Sequence, residues 1–403
     1  MKGFLYKAKG VLALALAMSM FCPQVFAAEA ISSKNQDAKT VIEGTSELTI
    51  GNTEEINVLP QLTFEEALRR VKKHSPDLKD LEATMDMLWD QEEKLEDAGI
   101  TSVPSYDYKH WVPDAWYLAT AGLFKVETGQ KQTTIGTQLT ELGLEVGLKS
   151  MFVNIIANEK GLELAKEAAE MQKTLYLQGY TKYRLGMLSK YNLEQLQITY
   201  EKAKNSLEAQ EYTLEQLYVK LNDMMGVSVE QRYELVYDVT FVPYEMGLTM
   251  DQYINAAMKD DLSIALMELE VETAKFNRNY VPYSDGGTQT AQLKLTHEQK
   301  QRALRTAKAK KEVLIRNTYL QIKDLETDYT SAQADLTKAL ADYRAAQINY
   351  QAGNLTKVAV DGAEMAVKQA ELALQGVAYQ HDMYVFMFEN PSLLADTDSA
   401  AAQ

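Results

Sequence analysis

The chain has 403 residues, 46% hydrophobic and 24% charged, and a formal net charge of −16. That acidity argues against a nucleic-acid partner, which needs clustered Lys and Arg, and against simple adhesion to an anionic membrane. Cys22 is the single cysteine, so no disulfide framework exists.

Residues 1–27 read as a secretory leader. Lys2, Lys7 and Lys9 precede an apolar run over 11–22, and Val25-Phe26-Ala27 offers a small residue before the cut. The run is too short to span a bilayer, and Ser19-Met20-Phe21 is a poor lipoprotein signature. Residues 28–60 form a polar linker, with one short strand expected at 47–50. Thr63 with Glu66 then makes a capping box that opens a helix running toward Asp97. Pro76 in His74-Ser75-Pro76-Asp77 lacks an amide hydrogen and should break or kink that helix.

Residues 98–136 look least regular. Tyr106, Tyr108, Trp111, Trp116, Tyr117 and Phe124 stand there among Gly and Pro, so an aromatic loop is expected. A helix over 137–183 follows, on the order of 70 Å long. The tip is 184–189: Gly186 can take the left-handed conformation, and Ser189 can cap the next helix. From 190 to 225 the apolar positions alternate by three and four: Leu193, Leu196, Tyr200, Ala203, Leu207, then Leu214, Leu217 and Leu221. That spacing defines a coiled-coil seam.

The pattern then recurs. After an inter-repeat linker (228–247) with a short strand expected at 233–237, Thr249 and Gln252 form a second capping box. A constant offset takes Gly186 to Gly353 and the seam to Val360, Val367, Leu374, His381 and Phe388. The chain is thus a duplicated helical hairpin, repeat one over 61–227 and repeat two over 248–391, with its own tip at 351–356. Pro391 ends the last helix, and 392–403 is expected to be a disordered tail. The fold class expected is mainly all-α: duplicated long coiled-coil hairpins with minor short strands.

No chemistry is concentrated anywhere. His74, His110, His297 and His381 lack metal-ligand spacing, and no phosphate loop or nucleophile elbow occurs. No enzyme activity, metal or cofactor is expected. His381 lies on the seam and reads as a packed or partly exposed core residue.

The chain resembles the TolC-like outer-membrane efflux protein family. The resemblance rests on Leu62-Thr63 through Ala67, on Tyr183-Arg184-Leu185-Gly186-Met187-Leu188, on Asn192-Leu193, on Leu221-Asn222-Asp223-Met224-Met225-Gly226, and on Tyr350-Gln351-Ala352-Gly353-Asn354-Leu355. It implies a homotrimer in which each TolC-like protomer gives two repeats to a hollow α-barrel in the cell envelope. It implies that Arg184, Leu185, Gly186, Met187 and Leu188, with Ala352, Gly353, Asn354 and Leu355, dock a membrane-fusion adaptor in front of an inner-membrane transporter. Two departures stand out. A membrane-crossing strand needs about 9–11 residues, so two strands and a turn do not fit within 278–291, and no complete transmembrane β-barrel is expected. The family's acidic gate positions are Ala359 and Gly362 here, leaving Asp361 and Glu364 as substitute gate acids, or as solvated helix-face acids. Trp111, Trp116 and Tyr117 are candidates for a membrane-interface contact, against the alternative of a loop packed over helix ends. The expected function is an envelope efflux or export component. The alternative is an extracytoplasmic coiled-coil scaffold without a pore.

Overall fold

The computed structural model of the protein describes residues 59–101, 113–282 and 289–394. The expected leader, nearly all of the 28–60 linker, Trp111, residues 283–288 and most of the 392–403 tail lie outside the described residues.

The elements in chain order are β1 (Gln61–Thr63), α1 (Phe64–His74), α2 (Pro76–Asp97), α3 (Asp114–Arg184), α4 (Lys190–Met225), β2 (Glu234–Val236), α5 (Met250–Asp260), α6 (Leu262–Asn279), α7 (Thr290–Gln351) and α8 (Lys357–Glu389), then a 3-10 turn at Pro391–Leu393. Local chemistry sets most boundaries. Ser75 ends α1 and caps α2, its Oγ accepting from the Leu78 amide at 3.4 Å, while Pro76 takes the first helical position. There its missing N–H costs nothing. Thr249 and Gln252 close a full capping box. At Thr63 only half forms: its hydroxyl accepts from the Glu66 amide, but the Glu66 carboxylate turns to Arg70.

The expected aromatic loop at 98–136 is corrected. α3 begins at Asp114 and runs 71 residues, about 107 Å. Gly122, Gly129 and Gly136 read as breakers in sequence, but they recur every seventh residue. Each is a notch for a leucine of α2: a Cβ there would stand 3.7 Å from Leu95, 3.1 Å from Leu88 and 3.5 Å from Leu81. A glycine in a helix interior costs about 1 kcal/mol. Close packing of α2 on α3 offsets it. The second unforeseen element is a parallel pairing of β1 with β2, Leu62 opposite Leu235, which ties the inter-repeat linker to the chain's start.

The helices stand as one layer. α2 and α4 pack on one side of α3, α6 and α8 pack on its other side, and α7 packs beyond them. Each repeat has its own core at mid-height. Leu62, Val71, Leu148, Phe152, Ile155 and Leu221 make the first; Ile254, Ile315, Ile322 and Phe388 make the second. The seam leucines of the two copies therefore do not merge into one interior. Polar rungs join the repeats along α3 and α8. Lys149 pairs with Asp382 at 3.3 Å, Lys160 donates to Gln375, and Lys368 pairs with Glu167. At the end remote from the two glycine turns, Phe124 stacks on Phe276, centroids 4.2 Å apart.

His381 is a packed residue, 4% exposed, with its ring 4.8 Å from that of Phe241 and Nε2 3.7 Å from Glu326. Burial holds its pKa below 6.5, although Glu326 and Asp382 pull upward; Lys323 pushes further down. A histidine depressed in the fold takes its proton first in the unfolded chain. Stability is therefore lost as pH falls below about 6.5 toward the folded pKa. Melting temperatures across pH 7.5 to 5 should fall for the parent chain, and His381→Gln should flatten that slope. His297, depressed by burial and by Arg278, keeps a residual slope of the same sign.

Candidate functional site: two tips and two free edges

The two tips are built alike, bond for bond. In the first, Gly186 adopts φ +73°, the Met187 amide donates to the Lys182 carbonyl at 2.8 Å, and Gly186 donates to Tyr183 at 2.9 Å. In the second, Gly353 adopts φ +78°, Asn354 donates to Asn349 at 2.8 Å, and Gly353 donates to Tyr350 at 2.9 Å. This is the Schellman closure, with glycine where a Cβ would strain the backbone. Ser189 and Thr356 then cap α4 and α8 through their hydroxyls. Of the sequence-predicted tip residues, Arg184, Leu185, Gly186, Met187, Ala352, Gly353, Asn354 and Leu355 are exposed. Met187 is 73% exposed. Leu188 turns inward, a δ-methyl 3.5 Å from the Cβ position of Gly179.

The lateral edges were not legible as such from the seams. α4 buries one face only: from 190 to 217 its seam positions are the sole residues out of full exposure. On the opposite face Tyr191, Ile198, Tyr212 and Val219 stand exposed at multiples of seven. On α7, Val313, Leu320 and Ile348 do the same, with exposed Ala334 and Ala341 on the same line. α8 by contrast is covered by both α3 and α7. So α4 and α7 are the end staves of an open row, and each carries a second, uncovered heptad line.

The acid pair separates. Glu364 accepts from the Tyr343 hydroxyl at 3.3 Å and lies 3.9 Å from Lys368, which continues to Glu167 on α3. Asp361, one turn nearer the tip, is partly buried and has no side-chain partner among the described residues. Of the aromatics, Trp116 packs its ring 5.3 Å from Tyr280, joining the two repeats at the end remote from the tips, and Tyr117 beside it is partly buried. Among the described residues no group of three or more His, Cys, Asp or Glu is placed to hold a metal, and no helix is long and apolar enough to cross a membrane.

No family model and no curated protein matches the chain. Solved structures do. The Campylobacter jejuni CmeC outer membrane channel matches with a TM-score of 0.59 at 13% identity, over 84% of this chain and 88% of that one. The outer membrane protein VceC of Vibrio cholerae matches with 0.55 at 13%, over 81% and 95%. The open state of the Neisseria gonorrhoeae MtrE outer membrane channel matches with 0.50 at 10%, over 83% and 90%. The fold is the one these channels share. It is the TolC-like fold, built from duplicated long-helix hairpins.

Proposed function

We propose that the chain is one protomer of a homotrimeric TolC-like conduit for efflux or export in the cell envelope. One observation carries this reading: the helices form a single row whose two end staves, α4 and α7, each expose an apolar heptad line. A row with two unlike edges closes by repetition about an axis parallel to the staves, edge of one copy to edge of the next. Three rows of four staves make a ring of twelve around a water-filled passage. The TolC-like fold of the solved channels supports it.

In this reading Arg184–Leu188 and Ala352–Leu355 receive a membrane-fusion adaptor, with a transporter behind it, and Asp361 is the better placed of the two gate acids. The polar rungs between α3 and α8 hold the second hairpin upright. At the end away from the tips, residues 98–113 and 280–289 connect the helices, and each run is shorter than the roughly 20 residues that two membrane-spanning strands and a turn need.

The test is a cross-link between edges. Tyr176 stacks on Tyr200, so Ile198 of α4 stands level with Gln178 of α3. Ala345 of α7 lies as far from Gly353 as Gln178 does from Gly186. Ile198→Cys with Ala345→Cys, in a chain freed of Cys22, should give a bismaleimide ladder that ends at three copies. A chain that stays monomeric in both detergent and buffer defeats the conduit and leaves the pore-less scaffold.

A further inference from the structure

The outer halves of the two free edges carry opposite charge. α2 holds nine carboxylates against two lysines. Over 290–316, α7 holds eight basic residues against two acids, an exception in a chain of net charge −16. Some of those cations are used inside the chain: Lys300 pairs with Glu270 and Lys308 with Glu268, both at 2.7 Å, and Lys311 with Asp261. Lys294, Arg302 and Arg305 are exposed and make no ion pair among the described residues. Glu82, Asp86, Asp90 and Glu93 on α2 are likewise exposed and without ion pairs.

These groups also stand at the same level. Leu81 seats on Gly136 and Leu88 on Gly129. Measured from the tip glycines, Gly136 is level with Ala303 of α7 and Gly129 with Thr296. The stretch 82–90 of α2 therefore matches the height of 294–305 of α7. The same inward seam that fixes Leu81, Leu88 and Leu95 on α3 turns Asp86 and Asp90 outward, away from α3. On α7, Arg302 lies opposite the buried line of Lys311, Ile315 and Thr318.

We propose that these edges form an electrostatic clasp between successive copies of the chain. Glu82, Asp86 and Asp90 of one copy face Arg302, Arg305 and Lys294 of the next and close the outer half of the ring. The proposal rests on the ring reading and deepens it. The inner half has apolar heptad lines to hold neighbours together, whereas the outer half has charge. The connecting loops are too short to add a strand barrel above it. The clasp fixes which edge meets which, because acid edge against acid edge repels. It is also solvent-exposed, so salt weakens it.

The experiment is the mass of the full chain by light scattering, at about 0.01 M and about 1 M salt, where the Debye length falls from about 30 Å to about 3 Å. The parent chain should be a trimer at low salt and should dissociate more readily, roughly tenfold or more, at high salt. Arg302→Glu with Arg305→Glu should weaken assembly at low salt. So should Glu82→Lys with Asp86→Lys, although the first pair makes the chain more acidic and the second less. Combining all four should restore the trimer. Helical content by circular dichroism shows that each variant is folded. A trimer indifferent to salt and to both charge reversals overturns the clasp while the α4–α7 cross-link ladder still upholds the ring. Weakening by the first pair with strengthening by the second means bulk charge alone, and also overturns it. A parent chain that is monomeric at every salt, with no ladder, removes both readings.

Discussion

Asp261→Ala is expected to destabilise the chain by about 3–5 kcal/mol, read by chemical denaturation. The Asp261 side chain is 0% exposed and that of Lys311 7%, and they meet at 3.1 Å. Asp261 caps α6, its Oδ1 accepting from the Ile264 amide at 3.0 Å and from the Ser263 hydroxyl. Lys311 donates to the carbonyls of Pro391 and Leu394, each at 2.9 Å, and so fastens the C-terminal turn onto α7. Burial lowers the Lys311 pKa, and Asp261 pulls it back up. Without Asp261 a buried ammonium has only two carbonyls, and α6 loses its cap. Repeat one shows a cheaper arrangement at the same place: Ser75 caps α2, and Leu144 stands level with Lys311. Asp261→Ser with Lys311→Leu should therefore recover most of the loss, because the charge and its partner leave together. A loss below about 1 kcal/mol for Asp261→Ala would mean that Lys311 needs no countercharge.

Gly226→Ala is expected to cost about 2–4 kcal/mol, for two separable reasons. Gly226 ends α4 at φ +66°, in the left-handed region, and a Cβ there would fall 2.1 Å from Nδ1 of His74. α1 and α4 meet at that point, so the first repeat's core depends on it. Adding His74→Ala should remove the clash and leave only the backbone strain, about 1–2 kcal/mol. The tip glycines are the comparison. Gly186 and Gly353 have equally positive φ but open space around the Cβ position, so alanine there should cost only the strain. Equal losses at Gly226 and Gly353 would show that the His74 contact carries no energy.

Helix boundaries were legible wherever a local device sets them. Ser75 before Pro76, Thr249 with Gln252, the two tip glycines and Pro391 all act within one turn. The 3-4 seam of α4 was legible for the same reason, since every one of its positions faces the same neighbour. The start of α3 was not. Gly122, Gly129 and Gly136 look like helix breakers until Leu95, Leu88 and Leu81 are placed against them; their sevenfold spacing was the signal that could have found them. Glu364 looked like a free acid because its hydroxyl donor, Tyr343, stands on another helix, although Lys368 four residues on was within reach in the sequence.

Duplication, helix type and the two tips follow from residues within a few turns of each other, since hydrogen bonds and capping act over that distance. Which staves stand in the middle of the row and which at its ends is different. That depends on α8 being covered on two sides while α4 and α7 are covered on one, and only side-by-side packing of segments far apart in the chain decides it. The uncovered heptad lines and the oppositely charged outer edges acquire meaning only from that order.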